Sequence, residues 1–169
     1  VLPFTLDHPG VEVVRQPGAH LLAPVPPAVM LPVAEHDGDA AGTQVLADGG
    51  HEVVGGVGTG DELVSRCLSL RPDLTISDIR MPPSHTDEGL RAASSIRQQW
   101  NDAPILLLSQ YVVAGYVPEL LADGGGGIGY LLKDRVTDID SFLEAVERVA
   151  RGELVLDPDV VAQVMHRSR

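Results

Sequence analysis

The chain has 169 residues, enough for one domain with a full hydrophobic core and too few for two of ordinary size. Its 24 acidic residues outnumber 12 basic ones, giving a formal net charge of -12, which argues against broad attraction to nucleic acid or anionic lipid and favours cations as small ligands. The single cysteine, Cys67, excludes an intrachain disulfide framework and a cysteine-based zinc site, and fits a reducing, cytoplasmic setting.

Residues 1–30 hold six of the 13 prolines and only three charged residues, so they read as an irregular N-terminal arm. The arm lacks the basic start and unbroken apolar run of a signal peptide, and no 18-residue apolar segment occurs anywhere to cross a membrane. Met30 precedes the first strand-like segment, which is consistent with a natural start there and an upstream extension before it. From Leu31 onward, β-rich runs near 31–35, 51–55, 74–78, 104–109 and 127–132 alternate with helical patterns near 39–48, 60–70, 86–99, 114–122 and 138–151. This alternation predicts an α/β domain over 31–151 with a doubly wound, five-stranded parallel sheet. The 39–48 helix is poorly supported by its glycines and aspartates. In 138–151, Ile139, Phe142, Leu143, Val146 and Val149 recur on one face, with Thr137 or Asp138 at the start and Gly152 at the end. A C-terminal extension over 152–169 carries one more short helix, with Asp157 as N-cap and Pro158 in its first turn.

In open parallel sheets, ligands bind beyond the carboxyl ends of the strands. Those ends carry Glu35, His36 and Asp37, then Asp78, then Ser109, then Lys133. Clustered carboxylates repel unless a cation joins them, and an all-oxygen set suits Mg²⁺. Asp78 is the candidate nucleophile, since carboxylates accept phosphoryl groups. Lys133 would pair with the phosphoryl oxygens, and Ser109 would donate a hydrogen bond to one of them. Lys133 is also the only lysine among the 12 basic residues.

The stretches Asp78-Ile79-Arg80-Met81-Pro82-Pro83, Leu107-Leu108-Ser109-Gln110-Tyr111 and Gly129-Tyr130-Leu131-Leu132-Lys133-Asp134 resemble the receiver domain of bacterial response regulators, of the LuxR/NarL-type branch. The resemblance covers residues 31–167 and implies a flavodoxin-like topology. It implies that Asp78 takes a phosphoryl group from the phosphohistidine of a sensor histidine kinase. Mg²⁺ would be held by Glu35, Asp37, Asp78 and the backbone carbonyl of Arg80. It further implies that Ser109 moves toward the phosphoryl group, that Tyr130 swings inward as the switch aromatic, and that the surface changes for signalling. Such a chain is a switch that catalyses only its own phosphorylation and dephosphorylation, and it leaves room for a homodimer on phosphorylation.

Two departures stand out. The family usually has adjacent acids after its first strand, where this chain has His36 before Asp37. Only 17 residues follow Gly152, too few for a helix-turn-helix output module, so DNA binding is not assigned to this chain. The first departure motivates an alternative, a degenerate receiver acting only through protein contacts. A more distant competitor is a dinucleotide-binding enzyme, suggested by Gly56, Gly58 and Gly60 opening a helix. Their G-x-G-x-G spacing is not the fingerprint spacing, and Asp61 and Glu62 would repel a pyrophosphate.

Overall fold

The computed structural model describes residues 28–32, 46–80, 86–122 and 126–168. Residues 1–27 of the expected arm over 1–30, most of the expected first helix, Glu35, His36, Asp37 and the loop containing Met81 and His85 lie outside the described residues. Among the described residues six strands form the sheet: β1 (Ala28–Pro32), β2 (Glu52–Val57), β3 (Leu74–Asp78), β4 (Ile105–Ser109), β5 (Ile128–Leu132) and β6 (Val155–Leu156). They lie in the order β2-β1-β3-β4-β5-β6, and every pairing is parallel. The chain steps from β1 to β2 on one side and then crosses back to β3 on the other. The carboxyl ends of β1 and β3 therefore flank the crevice where ligands bind in sheets of this kind.

β4 shows why the sheet sits between two helical layers. Its run Ile105-Leu106-Leu107-Leu108 is buried on both faces, as a central parallel strand requires. Ile105 and Leu107 pack with Leu63 and Cys67 of α1 (Gly60–Leu70) and Leu90 and Ile96 of α2 (Glu88–Gln99). Leu106 and Leu108 face the opposite layer, against Phe142, Val146 and Val149 of α4 (Ile139–Ala150). Strand alternation thus divides one apolar run between two cores.

Local chemistry sets the helix limits. Thr59 caps α1 by accepting the Glu62 amide at 3.2 Å, and Asp138 caps α4 by accepting the Ser141 amide at 3.3 Å. The expected helix over 114–122 is broken into a 3₁₀ turn (Ala114–Tyr116) and the single turn α3 (Val117–Leu120). Pro118 has no N–H to return to the Ala114 carbonyl, and the preceding turn closes tightly, with the Tyr116 amide bonding the Val113 carbonyl at 3.1 Å. A second 3₁₀ segment (Lys133–Thr137) follows β5, and α5 (Pro158–Arg167) ends the described fold.

Three expectations are corrected. β1 begins at Ala28 rather than near 31, so Met30 lies inside the strand, at a register shift between Val29 and Met30, while residues 33–35 of the expected strand lie outside the described residues. The apolar run Ala28-Val29-Met30-Leu31 suits a buried parallel strand, which accounts for the earlier start. The sheet has a sixth strand: β6 pairs with β5 at Gly129 and Tyr130. Ile139 is 48% exposed and stands off the apolar face of α4, which Phe142, Ala145, Val146 and Val149 form.

Candidate functional site

Asp78 is the last residue of β3, and Ser109 is the last of the neighbouring β4, whose register pairs Asp78 with Leu108. Lys133 follows β5 directly. The sheet therefore delivers a carboxylate, a hydroxyl and an ammonium to one edge from three adjacent strands. The Lys133 Nζ lies 3.2 Å from Asp78 Oδ2, with the two side chains 38% and 21% exposed. An ion pair this open to water contributes about 1 kcal/mol or less to stability, so its placement matters more for chemistry than for folding.

Gly89 sets the depth of the site. A Cβ there would overlap the Asp78 carbonyl oxygen and approach Ile79 Cα, and the Gly89 amide donates to the Ile79 carbonyl at 2.8 Å. The first turn of α2 thus rests against the backbone that carries Asp78, an approach open only to a residue without a side chain.

Ser109 and Tyr130 meet at a backbone oxygen. The Ser109 hydroxyl donates to the Tyr111 carbonyl at 2.8 Å and also accepts the Tyr111 amide at 3.3 Å. The Tyr130 hydroxyl donates to the same carbonyl at 3.1 Å and accepts the Val113 amide at 3.2 Å. Tyr130 is fully buried, with its ring inside the core in this conformation. The Tyr111 ring points outward, 59% exposed, with the Arg80 guanidinium 5.3 Å from its centroid.

Behind Lys133 lies a buried carboxylate. Asp157 accepts from the Leu132 amide at 3.1 Å, from Arg135 Nε at 3.0 Å and Nη2 at 3.2 Å, and from the Asp159 amide at 3.0 Å. Burial alone would raise its pKa, but the Arg135 hydrogen bond, the two backbone donors and the guanidinium charge together hold it below its ordinary value. Arg135 is correspondingly pushed up, first by its hydrogen bond to Asp157.

The structure thus brings Asp78 and Lys133 into contact, sets Ser109 on the strand between them, and links Tyr130 to Ser109 through Tyr111. The metal-ligand candidates Glu35 and Asp37 lie outside the described residues, whereas Asp78 and Arg80 are within them. Among the described residues no group of three or more His, Cys, Asp or Glu side chains forms a metal cluster. Gly89, Tyr111 and the Arg135–Asp157 pair were not anticipated. Only Gly89, a glycine in a first helical turn, left a readable signal. Cys67 is the core residue expected, its thiol pKa pushed up by burial. The nucleotide-binding competitor fares poorly, because the Gly58 amide, just before α1, is occupied at 3.0 Å by Glu62 in the first turn of that helix.

The response regulator receiver domain family matches residues 36–147, and the chain belongs to that family. It is 33% identical over 124 residues to a nitrate/nitrite response regulator protein homolog of Haemophilus influenzae, covering 73% of this chain and 56% of the relative. It is 31% identical over 115 residues to the transcriptional regulatory protein LnrK of Bacillus subtilis, covering 68% of this chain and 49% of the relative. The chain spans about half the length of these curated relatives. Among solved structures, a two-component response regulator of the LuxR family from Aurantimonas superimposes with a TM-score of 0.68 at 21% identity, covering 85% of this chain and 98% of that one. The chemotaxis protein CheY4 of Vibrio cholerae gives 0.60 at 25% identity, covering 73% and 98%. The relatives are response regulators of the NarL/LuxR type, and the fold is the flavodoxin-like receiver fold. Among the described residues no helix is long and apolar enough to cross a membrane.

Proposed function

We propose that the chain is a phosphoacceptor switch in which Asp78 takes a phosphoryl group from the phosphohistidine of a sensor kinase. An Asp78 carboxylate oxygen attacks phosphorus, the P–N bond to the donor imidazole breaks, and the nitrogen keeps the electron pair. The product is an acyl phosphate on Asp78. The observation that carries this reading is the 3.2 Å contact between Lys133 Nζ and Asp78 Oδ2, at an edge that also carries Ser109. The ammonium sits where negative charge accumulates on the transferred group, and positioning and charge neutralisation dominate phosphoryl transfer. Ser109 reaches a phosphoryl oxygen by giving up its bond to the Tyr111 carbonyl. That local exchange passes to Tyr130 through their shared acceptor and from there to the surface.

The described oxygen donors at this edge, the Asp78 carboxylate and the Arg80 carbonyl, suit a hard cation, with Glu35 and Asp37 as the remaining ligands. Bound Mg²⁺ would neutralise the carboxylates and the phosphoryl oxygens. The test is to treat the full chain and Asp78→Asn with acetyl phosphate, with and without Mg²⁺, and to measure intact mass. A Mg²⁺-dependent phosphoryl adduct on the wild type alone is expected. Its absence from the wild type would favour a degenerate receiver that works only through protein contacts.

A further inference from the structure

We infer that Asp157 is a positioning residue for Lys133, so that the C-terminal helix and the phosphoryl-binding ammonium are held by one buried carboxylate. The inference rests on the proposed role of Lys133 at Asp78. A carboxylate offers about four lone-pair directions, and Asp157 has a donor for each. Oδ2 takes the Leu132 amide and Arg135 Nε, while Oδ1 takes Arg135 Nη2 and the Asp159 amide. Leu132 is the residue before Lys133, and Arg135 is two residues after it. The carboxylate therefore grips the chain on both sides of the lysine, at the point where β5 turns into the 3₁₀ segment.

The Asp157 backbone adds a third hold, since its amide donates to the Tyr130 carbonyl at 2.8 Å. Asp157 thus touches the strand that carries the buried tyrosine and the segment that carries the lysine. The same oxygen that receives Arg135 Nη2 caps α5, whose Val160 is fully buried in the core shared with Val117 and Leu120. Arg135 also reaches Asp159 at 3.1 Å, within the first turn of that helix. A helix cap needs only one acceptor oxygen. The second oxygen, directed to Leu132 and Arg135, has no capping role, and fixing the segment around Lys133 accounts for it. Fork-to-fork pairing of a guanidinium with a carboxylate fixes direction as well as distance, which a flexible lysine stem cannot do for itself.

Because Lys133 is the only lysine, labelling the full chain with [¹³Cε]lysine gives one side-chain resonance that reports on it alone. In the wild type its two Hε protons should be inequivalent, and in Asp78→Asn they should merge as the ion pair is lost. Arg135→Ala removes one donor from each Asp157 oxygen but keeps the cap bond from the Asp159 amide and leaves the core in place. Asp157→Ser keeps a capping oxygen but cannot span Leu132 and Arg135. Both should merge the Hε signals and slow adduct formation with acetyl phosphate by about tenfold, on the scale expected when a reacting group is misplaced. Wild-type Hε spectra in Arg135→Ala would overturn the inference, even if Asp157→Ser fails to fold. A wild type that takes no phosphoryl group while Arg135→Ala still merges the signals would sink the phosphoacceptor role and leave the positioning of Lys133 standing.

Discussion

Ser109 and Tyr130 donate to one acceptor, their hydroxyls lying 2.8 and 3.1 Å from the Tyr111 carbonyl oxygen. Either donor can leave while the other keeps that carbonyl satisfied. Tyr130→Phe also strips the Val113 amide of its side-chain acceptor, so it should cost about 1–2 kcal/mol in urea unfolding. Ser109→Ala should cost less. The double variant should lose more than the sum of the singles, because only then does the carbonyl lose both donors; strict additivity would show that the shared acceptor is unimportant.

Lys133 should separate folding from chemistry. Its ion pair with Asp78 is open to solvent, so Lys133→Ala should shift stability by about 1 kcal/mol or less. The rate of adduct formation should fall by about 10²-fold or more, as when a preorganised charge-stabilising group is removed. Lys133→Arg should keep the charge but impair the coupled change at Tyr130, because a planar fork does not replace a compact ammonium. Tyrosine fluorescence or NMR before and after phosphorylation would read this, and a wild-type response would remove Lys133 from the coupling.

Gly89→Ala should be far more damaging than Gly129→Ala. At Gly89 the added methyl meets the Asp78 carbonyl oxygen and backbone, neither of which can yield without moving β3 or α2. At Gly129 it meets the ends of Leu106 and Val149, which can repack at about 1–3 kcal/mol. Comparative denaturation of the two variants decides the point; equal losses would contradict the contact assigned to Gly89.

Acid should weaken the fold in part through Asp157. Its pKa is lowered below the ordinary 3.8, so the folded state holds the charged form more firmly than the unfolded chain does. That contribution is fully present above about pH 5 and is lost as pH falls past 3.8 and through the folded-state value. Asp157→Asn should flatten the fall of melting temperature below about pH 5. An unchanged slope would assign the acid sensitivity to other carboxylates.

Much of this was legible in the sequence where a local signal and a global need agreed. Thr59, Asp138 and the Asp157–Pro158 pair mark helix starts through capping chemistry, and the apolar run of β4 marks a strand buried on both faces. Asp78, Ser109 and Lys133 could be grouped because parallel sheets gather strand ends at one edge. β6 was not legible, because two residues make no periodic pattern and their strand character comes only from pairing with β5. The role of Tyr111 was hidden because it acts through a backbone carbonyl. Asp157 read as a cap, but its bond to Arg135 joins residues 22 apart and depends on the fold already being made.

The short β6 has a bearing on how copies of the chain can meet. An uncovered strand edge invites another molecule to extend the sheet. On this flank, Gly129 and Tyr130 of β5 already have their neighbour, and β6 is only two residues long. Asp157 then leads into Pro158, which has no N–H to offer an incoming strand. Sheet extension is therefore discouraged here, and two copies approaching along this flank would have to join through their helices.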